Sequence, residues 1–153
     1  SAEFKGTKRE LKEGYNMATY WAHWLTMGEK LGDKAPKIFH VNWFRKDDND
    51  NFMWPGFGDN MRVLLWIIDR CEGKVGAKET AIGYVPNAED IDVEGLDIDK
   101  ATLEALLTVD KKNWLDDIND AETGIKQYFA QFGDKLPAEM AKQLEILEAN
   151  LNK

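Results

Sequence analysis

The sequence predicts an α+β fold, a small, mostly antiparallel sheet containing a hairpin, covered by helices and followed by a helical carboxy-terminal segment. Three observations carry this expectation. Apolar residues recur at helical spacing in several long stretches, two strand-forming runs at 37–44 and 51–54 flank a polar turn, and glycines and prolines punctuate the boundaries. At 153 residues the chain fits one domain with a real core.

Residues 1–13 are polar and lysine-rich and read as a tail or shortened connection, leaving 14–153 as the domain. From 15 to 31, Met17, Tyr20, Trp21, Trp24, Leu25 and Met27 recur with helical period, and Gly28 with 32–36, ending in Pro36, supplies the stop. The run 37–44 alternates like a strand, 45–51 is turn-prone, and 51–54 returns as the second arm of a hairpin. Residues 54–58, Trp-Pro-Gly-Phe-Gly, form a tight loop, after which Asp59 or Asn60 can cap a helix over 61–71 with Val63, Leu64, Trp66, Ile67 and Ile68 on its inner face. A short strand at 80–85 closes at Pro86, and an acidic loop spans 87–97. Helices are expected over 99–108, 110–132 and 137–151; Gly124 weakens the continuity of the second, Pro137 suits a first turn, and Leu144, Leu147 and Leu151 make a buried stripe.

The composition narrows the range of functions. With 43% hydrophobic and 31% charged residues the chain is globular, and no apolar run approaches the roughly 20 residues that cross a bilayer. A formal net charge of -8 argues against nucleic acid or an anionic membrane as a general partner, since both need a concentrated positive surface. Cys71 is the sole cysteine, so no intramolecular disulfide forms, and no signal-peptide pattern opens the sequence. A reducing, cytoplasmic setting is expected.

The informative window runs from 42 to 63. It brings Phe44 from a strand, Phe52 from a hairpin return and Phe57 from a glycine-flanked loop, a layout that can set flat rings on opposite sides of a planar ligand. Stacking contributes about 1 to 3 kcal/mol per base but tolerates any base, so discrimination needs hydrogen bonds. Asn60 offers an amide oxygen that can accept from guanine's ring N–H and amino group, which adenine cannot match. Taken singly, each aromatic is more often a core residue, and Asn60 is as readily a helix cap.

The whole window weighs differently. Asn42-Trp43-Phe44-Arg45-Lys46 and Phe52-Met53-Trp54-Pro55-Gly56-Phe57-Gly58-Asp59-Asn60-Met61-Arg62-Val63 resemble the guanine-binding segment of GTP-dependent phosphoenolpyruvate carboxykinases. The likeness continues through 14–27 and 36–44 and at Ile82-Gly-Tyr-Val-Pro86, Gly95-Leu96 and Leu136-Pro137. It implies that Phe44 and Phe57 sandwich the guanine, Phe52 meets its edge, Asn60 reads it, and Trp43 and Trp54 support the slot. It further implies a complete enzyme that converts oxaloacetate and GTP to phosphoenolpyruvate, carbon dioxide and GDP with Mn2+ and a second, nucleotide-bound divalent ion such as Mg2+.

The machinery of phosphoryl transfer is not recognisable in the sequence. The stretch 73–80, Gly-Lys-Val-Gly-Ala-Lys-Glu-Thr, has the wrong spacing for a phosphate loop and reads as a surface turn. His23 reads as a helix-face residue and His40 as a strand residue, neither at metal-ligand spacing, and Cys71 reads as a buried or inert thiol. Residues 1–6 faintly resemble the end of the family's mobile lid, but 7–13 stand where a strand normally follows. The expectation is a guanine-nucleotide-binding portion with no catalytic residue, metal ligand or cofactor of its own. Its partners are a guanine nucleotide and a catalytic half supplied elsewhere. The competing expectation is an interaction module whose aromatic platform takes another ligand, such as a sugar.

Overall fold

The computed structural model describes residues 16–153, so the expected tail at 1–13 and the start of the first helix lie outside the described residues. These residues fall into two compact units, one combining the segment up to Pro36 with Lys111–Lys153, the other Lys37–Asp110.

In the first unit, helix α1 spans Met17–Leu31. Asn16 caps it, its side-chain oxygen accepting from the backbone of Ala18 at 3.0 Å and Thr19 at 3.4 Å, which satisfies two N–H groups that have no partner within the helix. Gly32, at φ 50°, turns the chain out of the helix. After Asp110 the chain returns to this unit. The helix expected at 110–132 is two helices there, and they are numbered below in chain order.

The second unit departs from the expected hairpin. Residues 37–44 form no strand, and the arms meet only in a single antiparallel bridge between Lys46 and Phe52. Local side chains explain this. Asn42 Oδ1 accepts from the Phe44 amide at 2.9 Å, and Asp47 accepts from the amides of Asn49 and Asn51, each at 2.9 Å, so the backbone closes on itself instead of extending a ladder. The sheet forms further on: β1, Lys78–Thr80, pairs antiparallel with β2, Gly83–Val85, in the register Lys78–Val85, Glu79–Tyr84 and Thr80–Gly83. The single strand expected at 80–85 is thus the turn and second arm of a hairpin, with Gly83 at φ 117°.

Helix α2, Asn60–Cys71, supplies Trp66 to a core shared with Ile91 and Leu103 and flanked by Phe39, Ile67 and Val75. Helix α3, Lys100–Leu106, is capped by Asp99, whose carboxylate accepts from the Thr102 amide at 2.7 Å. The expected inner face of α2 is only partly internal. Trp66 is buried and Val63 and Ile67 are half-buried, but Leu64 and Ile68 are exposed together with Met61 and Leu65, so α2 is apolar on both sides.

The remaining helices belong to the first unit: α4 spans Lys111–Asn119, α5 Ile125–Ala130 and α6 Ala138–Leu151. Asp120 breaks the expected continuous helix by accepting from the amides of Glu122 at 2.9 Å and Thr123 at 2.6 Å. Gly124 follows because a Cβ there would strike the backbone of Asp120 and Ile118. Trp21 packs edge-on against Phe129 and Phe132, while Ala18, Ile118 and Leu151 are buried. Leu144 and Leu147 are half-buried, in line with the stripe expected on α6, and Pro137 stands one residue before that helix, as its N-cap.

Candidate functional site

The site window lies within the second unit, held by three local devices. Its loop is fixed by Asp47, by the Met53 amide donating to the Arg45 carbonyl at 3.0 Å, and by a 2.8 Å ion pair between Lys46 and Asp50. Arg45 reaches the end of α3, donating to the carbonyls of Leu106 at 2.8 Å and Thr108 at 3.0 Å, a charge-assisted closure of a helix terminus. Arg62 on α2 donates to the carbonyls of Asp92 at 3.0 Å and Glu94 at 2.9 Å, tying the acidic loop to the helix that carries Asn60.

Upon this frame the aromatics divide into two groups. Trp54 is only 6% exposed and Trp43 half-buried, their rings 6.5 Å apart and tilted by 46°. Phe44, Phe52 and Phe57 are 73%, 59% and 93% exposed. Phe44 and Phe52 meet edge to face at 6.1 Å, with the Lys46 ammonium 5.3 Å from the Phe52 ring. Phe57 sits on a short 3-10 turn, Phe57–Asp59, entered through Gly56 at φ 129°, a conformation that side chains other than glycine rarely adopt. It makes no ring contact among the described residues. Leaving a large apolar side chain in water forgoes about 1.5 to 3 kcal/mol of burial each, so three such rings in one window are not explained by stability.

Asn60 is the first residue of α2, and its amide donates to the Phe57 carbonyl. Its side chain is not a cap: Oδ1 accepts from the Trp54 indole N–H at 2.9 Å. Asp59 occupies the N-cap position, yet its carboxylate accepts from Arg62 Nε at 3.3 Å and not from the helix backbone.

A depression of about 540 Å³ lies beside Phe52 and Met53, rimmed by Asp47, Asp97 and Asp99. The backbone N–H of Asn51 holds the Asp47 carboxyl below its usual range, and that of Thr102 does the same for Asp99. Both are therefore anionic at neutral pH, and this rim repels phosphate.

Other expectations fare differently. Cys71 is exposed, at the last turn of α2, which corrects the buried thiol; a helix end facing water leaves its side chain accessible. His23 is exposed on α1, and His40 lies in the non-strand segment. Within 73–80, Gly73 leaves α2 at φ 75°, Lys74 pairs with Asp69 and Glu72, and β1 begins at Lys78, so the stretch is a turn and a strand. Among the described residues no three His, Cys, Asp or Glu side chains gather as a metal site. Sequence reasoning missed the Trp54–Asn60 bond and the two arginine closures. The signals were an indole six positions before an amide and an arginine three positions after Asp59.

Three exposed phenylalanines, a buried indole and the carboxamide bonded to it fall within one short window of a small α+β module. Residues 13–150 match the family described as the phosphoenolpyruvate carboxykinase C-terminal P-loop domain, and the chain belongs to that family. It is 50% identical over 140 residues to phosphoenolpyruvate carboxykinase [GTP] of Neocallimastix frontalis, covering 90% of this chain. The enzymes of the same name from Corynebacterium kroppenstedtii and Treponema pallidum (strain Nichols) are 46% identical over 138 residues and 45% over 140, covering 90% and 91% of this chain. The chain spans only 22% of the length of each of these relatives.

Proposed function

We propose that this chain binds the base of a guanine nucleotide, as the guanine-binding portion of a GTP-dependent phosphoenolpyruvate carboxykinase, and that it is not catalytic alone. Phe44 and Phe57 stack on the base, Phe52 meets its edge, Asn60 distinguishes guanine from adenine, and Trp43 and Trp54 form the floor. The observation that supports this reading is the exposure of Phe44, Phe52 and Phe57 within the same short window as a carboxamide, Asn60, bonded to the buried Trp54. Family membership supports the choice of guanine.

The reaction of oxaloacetate with GTP, giving phosphoenolpyruvate, carbon dioxide and GDP, belongs in this reading to the complete enzyme. The divalent cations Mn2+ and Mg2+ do not fit the described residues, which offer them no cluster of ligands. In this reading their ligands belong to the complete enzyme, outside the described residues. The exposed apolar side of α2, formed by Met61, Leu64, Leu65 and Ile68, supports a catalytic half as the second partner.

Titrating the chain with guanosine, GDP and ADP while following tryptophan fluorescence tests the proposal. Guanosine and GDP should bind within about tenfold of each other, and ADP about tenfold or more weaker. Equal binding of GDP and ADP, or no binding, overturns it. Asn60→Ala should narrow the preference for guanine while sparing much of the stacking affinity.

A further inference from the structure

Whether a carboxamide reads guanine or adenine depends on which end carries the oxygen. Guanine presents a ring N1–H donor beside the O6 acceptor; adenine presents an N1 acceptor beside an N6 amino donor. For a base held at one depth in a slot, an amide with oxygen opposite N1 and nitrogen opposite position 6 matches guanine. The same amide rotated by half a turn matches adenine. A freely rotating asparagine therefore selects weakly, and something must fix its orientation.

Trp54 does this. An indole N–H donates and cannot accept, so at 2.9 Å it tolerates only the oxygen of Asn60; rotation of the amide would set two donors against each other. The indole itself has little freedom. Its ring is 6% exposed, packs against Trp43, and is followed by Pro55, which restricts the backbone of Trp54. Asn60 is equally constrained as the first residue of α2, with its own amide bonded to the Phe57 carbonyl. Among the described residues its Nδ2 group makes no hydrogen bond, leaving that donor for a ligand.

We propose that Trp54 is a specificity-determining positioning residue that locks the Asn60 carboxamide in its guanine-reading orientation. Because Trp54 takes one of the two acceptor positions on Oδ1, one position remains for the base. The amide thus reads the N1–H and O6 edge, with Oδ1 accepting from N1–H and Nδ2 donating to O6. It does not read the N1–H and 2-amino pair, which needs both acceptor positions. The inference rests on the guanine-binding reading above, replaces the N1–H and amino pair expected from the sequence with the N1–H and O6 edge, and names the residue that sets it.

Inosine separates these edges, since it keeps N1–H and O6 but lacks the 2-amino group. Equilibrium dialysis of guanosine, inosine and adenosine against the full chain should find inosine within about threefold of guanosine and adenosine at least about tenfold weaker. In Trp54→Phe, which keeps a buried ring but loses the N–H, the guanosine-to-adenosine ratio should fall by about tenfold, with inosine weakening alongside guanosine. A purely structural role would weaken all three nucleosides alike, and that result overturns the lock. Inosine binding about tenfold weaker than guanosine to the unaltered chain also overturns it, while leaving guanine recognition standing. If Trp54→Phe loses its circular dichroism signature of folding, the inosine comparison on the unaltered chain decides alone. No preference for guanosine over adenosine in the unaltered chain removes the guanine reading and the lock together.

Discussion

Phe57 is the most exposed of the three phenylalanines in the window, and in the proposed slot it stacks on the base. At 93% exposure its ring contributes almost nothing to stability, so Phe57→Ala should leave the thermal unfolding midpoint unchanged within error. Guanosine and adenosine affinities should both fall by about 1 to 3 kcal/mol, because stacking does not distinguish bases. Calorimetric unfolding and a nucleoside titration on the same preparation check both halves; a drop in unfolding midpoint places the ring in the core. Trp54 and Asn60 make the opposite pair, since burial and a 2.9 Å bond commit them to each other before any ligand arrives. The identities of these residues stand out in the sequence through the window's resemblance to a known family. The resemblance also implies supporting roles for Trp43 and Trp54, but composition and spacing alone do not separate exposed rings from buried ones, because tryptophan and phenylalanine have similar apolar character; the structure buries Trp54 and packs it against Trp43.

The loop at 46–52 is held by a carboxylate and therefore responds to acid. Hydrogen bonds from the Asn51 and Asn49 backbones favour the charged form of Asp47, so its folded pKa lies below its unfolded one. Stability from this group is fully present above the unfolded value, about 3.9, and is lost as pH falls through the lowered folded value. The Asn51 amide should be protected from hydrogen exchange at pH 6 and lose protection well below pH 4, and Asp47→Ala should remove that protection at every pH. At the α4–α5 junction, Gly124→Ala should cost about 1 to 3 kcal/mol in denaturant unfolding, since its Cβ meets rigid backbone. Gly76→Ala, where a Cβ meets open space, should be neutral, and equal effects at both positions contradict the steric account. These cases mark what periodicity conveys. The helices at 17–31, 60–71 and 138–151 follow from apolar spacing, and Gly124 already weakens the helix expected across 110–132. The hairpin at 37–54 does not survive because Asn42 and Asp47 bond their own backbone, a competition that alternation of residue types does not register. Conversely, the true hairpin turns at Ala81 and Ile82, inside an apparently continuous strand, and Gly83 opens its second arm at φ 117°.

For the whole molecule, the chain's span of 22% of its carboxykinase relatives and its charge balance bound how tightly it would hold a nucleotide under the proposed function. In a complete enzyme, phosphate contacts and metal ions add their own energy to that of the base. Here the described residues gather no metal site, Lys74 is committed to Asp69 and Glu72, and the depression beside Phe52 is rimmed by anionic carboxylates. With a net charge of -8, added phosphates bring repulsion at low salt. Two stacking contacts and the hydrogen bonds of Asn60 must then offset the loss of ligand freedom on binding. GTP, GDP and guanosine should bind weakly and within about tenfold of one another, a spread of roughly 1.4 kcal/mol, with the triphosphate weakest at low ionic strength. Raising the salt should bring GTP and guanosine together, whereas a phosphate site would lose GTP affinity instead. The purified chain should form no phosphoenolpyruvate from oxaloacetate and GTP. Turnover by this chain alone, or GTP binding about a hundredfold tighter than guanosine, places a phosphate and metal site within it and overturns the assignment of affinity to the base.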